Sequence, residues 1–300
     1  MTRAALIAGY LAALLAVDTQ VDLRGQLALG ALTWVVLVLA ALPLPTQRRA
    51  QVTVVICAAT FAELTGSILW GVYSYRLHNL PTFVPPAHGL VFMAGLSLSE
   101  ALRRHARTLV LVAATAASAW GVLGLTILPR LDAAGALGVP LLLAFLWRSR
   151  ARAAYAGVFL VVAALELYGT AIGTWRWAEQ LPGLGIPDGN PPSGVASGYV
   201  WFDVMAILLA PRLQSLTARA WPLRRRLVPD TGQGQPGQRR RSRRPQSITP
   251  RPPLEDVSCG PSRSSWDSES RQKADLALPR EGEVKHPNEP PEGGRINHRG

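Results

Sequence analysis

ELTGSILWGVYSY, residues 63–75, has a near copy 103 residues further along the chain, ELYGTAIGTWRW, residues 166–177. Each copy starts with a glutamate, continues with a glycine and a hydroxyl residue, and ends as Gly-x-aromatic-x-aromatic. Each is followed by a Pro-Pro pair and a glycine, in PPAHG (residues 85–89) and NPPSG (residues 190–194). Small gaps are needed to align the copies, so the repeat is one of pattern rather than identity. The ordered set predicts two related halves.

The chain around this pattern consists of apolar runs separated by short polar loops. A membrane-spanning helix needs about 20 mostly apolar residues. The first run resembles a signal peptide, since Arg3 precedes it, but no clean cleavage site follows, which favours a retained helix. We therefore predict an all-α, polytopic integral membrane protein with eight transmembrane helices. Their approximate limits are 4–20, 27–46, 51–75, 83–102, 107–128, 132–147, 153–175 and 193–211.

The repeat divides these spans into two groups of four. Gly30-Ala-Leu lies 33 residues before the first glutamate, and Gly135-Ala-Leu lies 31 residues before the second, so the similarity begins well upstream. An even number of spans leaves both copies in the same orientation, which predicts parallel repeats about an axis along the membrane normal. The predicted domains are one repeat over residues 1–105, the second over 106–211, and a tail over 212–300.

Arginines in the short loops predict the orientation, because cytoplasmic loops are enriched in Lys and Arg. Eight arginines lie in the loops after even-numbered spans, and four lie in the alternate loops. The loops after even-numbered spans and both chain termini are therefore expected in the cytoplasm. The preference for Arg over Lys, with abundant Ala, Gly and Pro, is typical of a GC-rich bacterium. The predicted location is accordingly the plasma (inner) membrane.

Composition separates the tail from the rest of the chain. Residues 1–210 carry 13 Arg and no Lys against 9 acidic residues, whereas residues 211–300 carry 18 basic and 10 acidic residues, for a net charge of +12. The tail is rich in Pro, Gly, Gln, Ser and Arg, which predicts disorder. Arg224, Arg225 and Arg226 are expected to contact anionic lipid headgroups. Specific nucleic-acid recognition is not expected, since no aromatic residues interleave the basic clusters.

Three acidic residues lie in the interiors of predicted spans, away from the span ends: Glu63 and Glu166 in the two copies, and Asp203 in the last span. An unpaired carboxylate in hydrocarbon is expensive, and no arginine lies in a span interior to neutralise it. One interpretation is that each glutamate is protonated and hydrogen-bonds the other repeat as structural support. The alternative is a paired-carboxylate site near the symmetry axis. A third is that one acid takes part in chemistry and the other supports the fold.

The neighbours of the two glutamates indicate how such a site is built. Gly66 and Gly169 lie at i+3, on the same helix face as the glutamate, where a small residue lets another helix or a ligand approach. Ser67 and Thr170, at i+4, are expected to donate hydrogen bonds to the carboxylates.

The Pro-Pro elements and the aromatic pairs follow in both copies. His88 breaks the symmetry, because Ser193 takes its place in the second copy. Its imidazole fits a general acid near neutral pH, and equally a helix-cap or interface histidine. The prolines predict the starts of spans four and eight, or a loop folded over the site. The aromatic pairs are expected to form the outer membrane belt: Tyr73 with Tyr75, and Trp175 with Trp177.

Motifs for metals, nucleotides and covalent catalysis are missing from the sequence. It has no nucleotide-binding loop, paired-cysteine zinc motif, His-Glu-x-x-His or nucleophile elbow. Cys57 lies in an apolar run and Cys259 in the polar tail, so a disulfide between them is not expected. Asp188 and Asn190 place oxygens on the outer side, but two are too few for a metal site. We expect neither a metal nor a cofactor.

The Glu-Leu-x-Gly-Ser/Thr and Gly-x-aromatic-x-aromatic pattern resembles membrane-embedded carotenoid-biosynthesis proteins. These are the carotenoid hydratase group and, more distantly, the heterodimer-type lycopene cyclases. The matching residues are 63–75 and 166–177, which together make about 25 of the 300 residues. The spacing of the glycines is shorter here than in the hydratases, and the acidic motif of the cyclases is not evident. The resemblance implies that membrane carboxylates protonate a polyene.

Together these observations favour a membrane enzyme acting on an isoprenoid, carotenoid or other lipid. Glu63 and Glu166 would be acid and base, with Asp203 and His88 in support, because a low-dielectric span keeps a carboxylic acid neutral near pH 7. A proton-coupled transporter or small-molecule-binding membrane protein is the first alternative, since alternating protonation of two glutamates suits transport. A membrane scaffold that recruits partners through the tail is the second.

Overall fold

The computed structural model describes residues 2–227, with side chains as far as residue 215. Most of this range is helical, as predicted. The elements in chain order are α1 (Thr2–Asp18), α2 (Leu23–Ala41), α3 (Thr46–Glu63), a π-helical segment (Leu64–Trp70), β1 (Tyr73–Tyr75), α4 (Val84–Ala101), a 3-10 turn (Arg103–His105), α5 (Ala106–Thr126), α6 (Ala133–Ala136), α7 (Val139–Arg148), α8 (Arg152–Ala171), β2 (Trp175–Trp177), α9 (Ser193–Gly198) and α10 (Val200–Leu227).

Within the described residues, five helical stretches are long and apolar enough to cross a membrane. Only 22% to 44% of each apolar window is buried inside the protein, and large apolar side chains such as Leu39, Leu69 and Leu208 are mostly exposed. So much exposed apolar surface is expected of a protein surrounded by lipid. The five stretches are Leu23–Ala41, Thr46–Trp70, Arg103–Thr126, Arg152–Ala171 and Ser193–Ser215.

Helix α4 lies at the centre of the helical packing. Most of its residues are buried, and it packs against α8, while α3 packs against α10. The crossing of α4 and α8 depends on two glycines. A Cβ on Gly95 would lie 2.5 Å from Cα of Val158, and one on Gly157 would overlap the carbonyl oxygen of Gly95. The two backbones therefore touch, as they do at small-residue contacts in membrane helix pairs.

The two copies of the sequence pattern both leave their helices through a left-handed glycine. Gly71 has φ +75° and Gly173 has φ +81°, a conformation that glycine adopts without strain. Gly71 follows Glu63 by eight residues, whereas Gly173 follows Glu166 by seven. The π-helical segment after Glu63 explains the difference, because its i→i+5 hydrogen bonds take one more residue per turn.

Two short strands, where helix was predicted, are the main correction to the sequence analysis. Spans three and seven were expected to run to residues 75 and 175, but the helices end at Trp70 and Ala171. Strands β1 and β2 then pair antiparallel, with Tyr73 opposite Trp177 and Tyr75 opposite Trp175. The ladder joins the two copies of the pattern directly.

The loop between β2 and α9 is held by one buried carboxylate, Asp132, at the start of α6. Its Oδ1 accepts hydrogen bonds from the backbone N–H groups of Gly135 and Gly189, both at 3.0 Å. Its Oδ2 accepts another from the N–H of Ser193 at 2.7 Å. Pro192 precedes α9 as its N-cap residue, and α4 has proline in its first turn. The Pro-Pro pairs therefore start helices, as predicted.

The helical part of the chain extends beyond the predicted boundary at residue 211. Helix α10 continues past residue 211 to Leu227, so the first residues of the predicted tail are helical. Residues 228–300, for which disorder was predicted, lie outside the described residues, and so do the side chains of Arg224, Arg225 and Arg226.

Candidate functional site

A cavity of about 380 Å³ lies between the two copies of the pattern, and both glutamates line it. Its walls come from α1, α3, α4, α8, α9, α10 and both strands. The structure thus brings together Glu63, Glu166 and His88, three of the four residues predicted for the site. The lining residues are Leu11, Leu14, Leu15, Ala62, Glu63, Tyr73, Tyr75, Phe83, Val84, Ala87, His88, Val91, Val162, Leu165, Glu166, Trp175, Trp177, Val195, Gly198, Tyr199, Trp201 and Phe202.

Glu63 is surrounded by hydrogen-bond donors. Its Oε2 accepts from the hydroxyls of Tyr73 at 2.5 Å and Tyr75 at 2.7 Å, and its Oε1 lies 3.3 Å from Nε2 of His88. Burial, and then the charge of Glu63, raise the pKa of both phenols well above the ordinary value, so they keep their protons and donate. Short donors converging on one carboxyl group stabilise its ionised form.

His88 connects Glu63 to a third tyrosine. Its Nδ1 donates to the carbonyl oxygen of Val84 at 2.9 Å, because a carbonyl can only accept. Its Nε2 lies 3.0 Å from the hydroxyl of Tyr199 and faces Glu63. A neutral imidazole accepts there from Tyr199, and a protonated one donates to Glu63. His88 is therefore a buried residue of the site, with its ring stacked on that of Tyr199 at 5.5 Å.

Glu166 has a less polar setting than Glu63. The indole Nε1 of Trp175 donates to its Oε2 at 3.0 Å, and the ring of Trp177 lines the same cavity. The Nε1 of Trp177 faces the same carboxyl group but makes no hydrogen bond of ordinary length and angle among the described residues. Glu166 is thus a buried carboxyl group with one hydrogen bond from an indole, where Glu63 has two phenols and an imidazole.

The glycine three residues after each glutamate makes room for an aromatic ring of the same copy. A Cβ on Gly66 would lie 3.0 Å from the ring of Tyr73, and a Cβ on Gly169 would overlap the ring of Trp175. The predicted close approach at these glycines is therefore made by the ring that donates to the neighbouring glutamate.

The hydroxyl residues at i+4 do not contact the carboxylates, so that prediction was wrong. Ser67 donates to the backbone carbonyl of Glu63 at 2.7 Å, and Thr170 donates to that of Glu166 at 2.7 Å. Within a helix this backbone acceptor is the nearest one to such a side chain.

The aromatic pairs face the cavity rather than forming a lipid belt. All four rings line it, because β1 and β2 turn back after the left-handed glycines. Sequence analysis missed this reversal and also missed Tyr199. A signal for Tyr199 does exist, since AHGLV at residues 87–91 recurs as ASGYV at residues 196–200. This alignment places Ser197, rather than Ser193, opposite His88.

Asp203, the fourth predicted site residue, does not line the cavity. It lies one turn beyond Tyr199, whose carbonyl oxygen accepts its backbone N–H at 3.3 Å. Its side chain is buried, and Oδ2 has no hydrogen-bond partner in the described part of the chain. The structure therefore separates Asp203 from Glu63 and Glu166.

Among the described residues, no group of three or more His, Cys, Asp or Glu side chains is placed to hold a metal ion. The chemistry available at the cavity is thus that of two carboxyl groups, one imidazole, three phenols and the indoles. Comparison with protein-family models, curated proteins and solved structures gives no match.

Proposed function

We propose that this protein is a membrane-embedded enzyme that moves a proton on an unsaturated isoprenoid or similar lipid. Glu166 acts as the general acid, and Glu63 acts with His88 as the base. The observation that carries this proposal is the unequal hydrogen bonding of two carboxyl groups within one mostly apolar cavity. Two acids whose settings differ in this way are suited to opposite roles.

The environments favour opposite ionisation states. Two phenols donate to Glu63 and stabilise a carboxylate. Glu166 receives one indole hydrogen bond, and an ionised carboxyl group with so few partners is costly in an apolar cavity. A second negative charge in the same cavity would add repulsion. Glu166 is therefore the group that holds a proton to give, and Glu63 is the group that receives one.

The aromatic lining suits the intermediate of such a reaction. When the O–H bond of Glu166 breaks and a C–H bond forms on a double bond, a carbocation results. The faces of Trp175, Trp177 and Tyr199, which line the cavity, attract a cation. Glu63 or His88 then removes a proton from the neighbouring carbon, or from a water molecule that adds to the cation. Proton exchange with solvent returns both acids to their starting states.

The proposed architecture is two parallel repeats of four spans. Besides the five stretches described above, α1, α4 and the pair α6–α7 complete the eight. The packing supports this. A two-fold rotation that exchanges α3 with α8 and α4 with α10 also exchanges the α3–α10 contact with the α4–α8 contact, and both contacts are present. The helix caps agree, since Asp22 accepts from the N–H of Gly25 and Asp132 from that of Gly135. The arginine distribution supports cytoplasmic termini in the inner membrane.

We favour an enzyme over a transporter because contacts tie the two halves together. The strand ladder joins them at one end, and the Gly95–Gly157 contact joins α4 to α8 without space between the backbones. Alternating access needs the halves to rock against each other, which both contacts oppose. The resemblance to carotenoid-biosynthesis proteins supports polyene protonation.

The test is mass spectrometry of lipid and pigment extracts from a strain lacking this protein. It is complemented with wild type, Glu63→Gln, Glu166→Gln or Asp203→Asn. We expect one unsaturated lipid to accumulate and to be cleared by wild type. Loss of the general acid should slow clearance by about a hundredfold or more.

Asp203→Asn is the matched control, because Asp203 is equally buried but lies outside the cavity lining. It should clear the lipid as wild type does, at equal protein levels on immunoblots. Full clearance by Glu166→Gln would disprove its role as the acid.

A further inference from the structure

We propose that the cavity holds only one end of its substrate, and that the rest of the chain lies in the lipid phase beyond Trp201. This inference rests on the proposed function, since it concerns the substrate of the same site. It identifies the substrate class as a long unsaturated chain that reaches the site sideways from the bilayer.

The size of the cavity is the first observation. Pockets of about 300–1,000 Å³ enclose drug-sized ligands, and the cavity, at about 380 Å³, lies near the small end of that range. That is the volume of a short terpenoid or of the end of a longer one. A full-length carotenoid or other long polyene does not fit, so most of its chain must lie outside.

Trp201 marks where the chain leaves the cavity. Its side chain lines the cavity, yet 51% of the residue is exposed. It therefore belongs both to the wall of the site and to the outer surface of the protein. The same surface of α10 carries Leu208, 63% exposed, and Met205, 39% exposed, which is the composition of a lipid-facing surface.

The surroundings of Trp201 suit an apolar chain. Its ring meets Phe145 of α7 edge-on at 5.9 Å, and its sequence neighbour Phe202 packs edge-on against Tyr199 at 5.3 Å. The charged and protonatable groups of the lining, Glu63, Glu166 and His88, are bonded to one another or to the strands. A hydrocarbon chain passing Trp201 therefore has no buried charge to desolvate.

Photo-crosslinking of the full-length protein in lipid nanodiscs tests this arrangement. The probes are two geranylgeraniol analogues, each with a diazirine at one of the two ends, and unlabelled geranylgeraniol is the competitor. One probe should modify the peptides around Glu63 and Glu166, and the other should modify α10 and α7 near Trp201 and Phe145. The proposal would be overturned if both probes modified only the cavity residues, or if neither probe modified them.

Blocking the route is the second arm. In a Cys57→Ser, Cys259→Ser background, Trp201→Cys and Leu208→Cys are each reacted with a bulky maleimide. Leu208 is the control because it is exposed on the same helix and does not line the cavity. Modified Trp201→Cys should lose the cavity crosslink, and modified Leu208→Cys should keep it. Equal crosslinking in the two would contradict a route at Trp201.

Trp201→Ala separates a blocked route from a damaged fold. It widens the route, so the cavity crosslink should be retained or increased. Loss of the crosslink in this variant, while it still elutes as a folded protein, would contradict the proposal. The measurement needs no turnover, so it reports on the route whether or not Glu166 is the acid. Failure of the route is thereby distinguished from failure of the assigned acid.

Discussion

Glu63 and Glu166 occupy the same place in their copies of the sequence pattern, yet they are chemically unlike. The difference arises from residues nine to twelve positions away, which are tyrosines in one copy and tryptophans in the other. Phenols bring two short hydrogen bonds to Glu63, whereas one indole bonds Glu166. Aromatic residues beyond the helix ends therefore give two matching glutamates unlike hydrogen-bond partners.

The phenols provide a prediction at this scale. Tyr73→Phe removes one donor from Glu63, and a hydrogen bond to a charged group contributes about 1.5–3 kcal/mol. We expect turnover of the accumulating lipid to fall by about tenfold to a hundredfold. Tyr10→Phe is the control. The hydroxyl of Tyr10 forms a hydrogen bond of 2.8 Å with Thr33, and Tyr10 does not line the cavity. Equal turnover in the two variants would show that Tyr73 does not position Glu63.

The glycines at i+3 provide a second prediction. Gly169→Ala places a methyl group within the ring of Trp175, whereas Gly66→Ala places one 3.0 Å from the edge of Tyr73. Overpacking costs about 1–3 kcal/mol, so Gly169→Ala should lower the Tm more than Gly66→Ala does. Gly9→Ala, which meets nothing within 4 Å, should leave the Tm unchanged or raise it. Thermal unfolding in detergent measures all three, and the reverse order for the first two would contradict the geometry.

At the scale of elements, the helix ends matter more than the helices. The π-helical segment after Glu63 absorbs the extra residue of the first copy, so Gly71 and Gly173 reach equivalent positions. Hydropathy could not reveal this, because Leu64–Trp70 is as apolar as the helix before it. The strands could not be predicted either, because three residues each are too few to show a period of two against an apolar background.

The loop between β2 and α9 provides a pH-dependent prediction. Burial, and then the charge of Asp132, raise the pKa of Asp188 from 3.8 to about 7. A folded pKa above the unfolded one means that the folded state binds more protons between these values. Stability therefore falls as the pH rises from about 4 through about 7.

Asp188→Asn should remove most of this slope. The Tm of the wild type should decline across that interval, and the Tm of Asp188→Asn should be flatter and higher at alkaline pH. Glu179→Gln is the control, as an exposed carboxylate of the same loop, and should follow the wild type. A wild-type Tm that rises with pH in this range would contradict the assignment.

At the scale of the whole molecule, the two copies of the sequence pattern meet around the cavity, and each contributes one acid. The arginine-rich loops predict that the opposite end of the bundle faces the cytoplasm, and that the strands and the loop before α9 face outward. Single cysteines in the Cys57→Ser, Cys259→Ser background test this. His78→Cys should react with an impermeant maleimide in intact cells, and Ser149→Cys only after permeabilisation. The opposite result would invert the proposed topology.

Hydrophobic run length and repeated order alone determined the helical character of the chain and the two matching glutamates. They predicted eight spans, and five helices of the described residues are long and apolar enough to cross a membrane. These properties depend on composition and on spacing within single segments, so they are readable without a fold. Tertiary structure decided the rest. The reversal at Gly71 and Gly173 and the strand pairing turn the aromatic rings inward. Helix packing, including that of α4 against α8, lets His88 reach both Glu63 and Tyr199 and leaves Asp203 outside the cavity. Such contacts join residues as many as 111 positions apart, and no local periodicity encodes them.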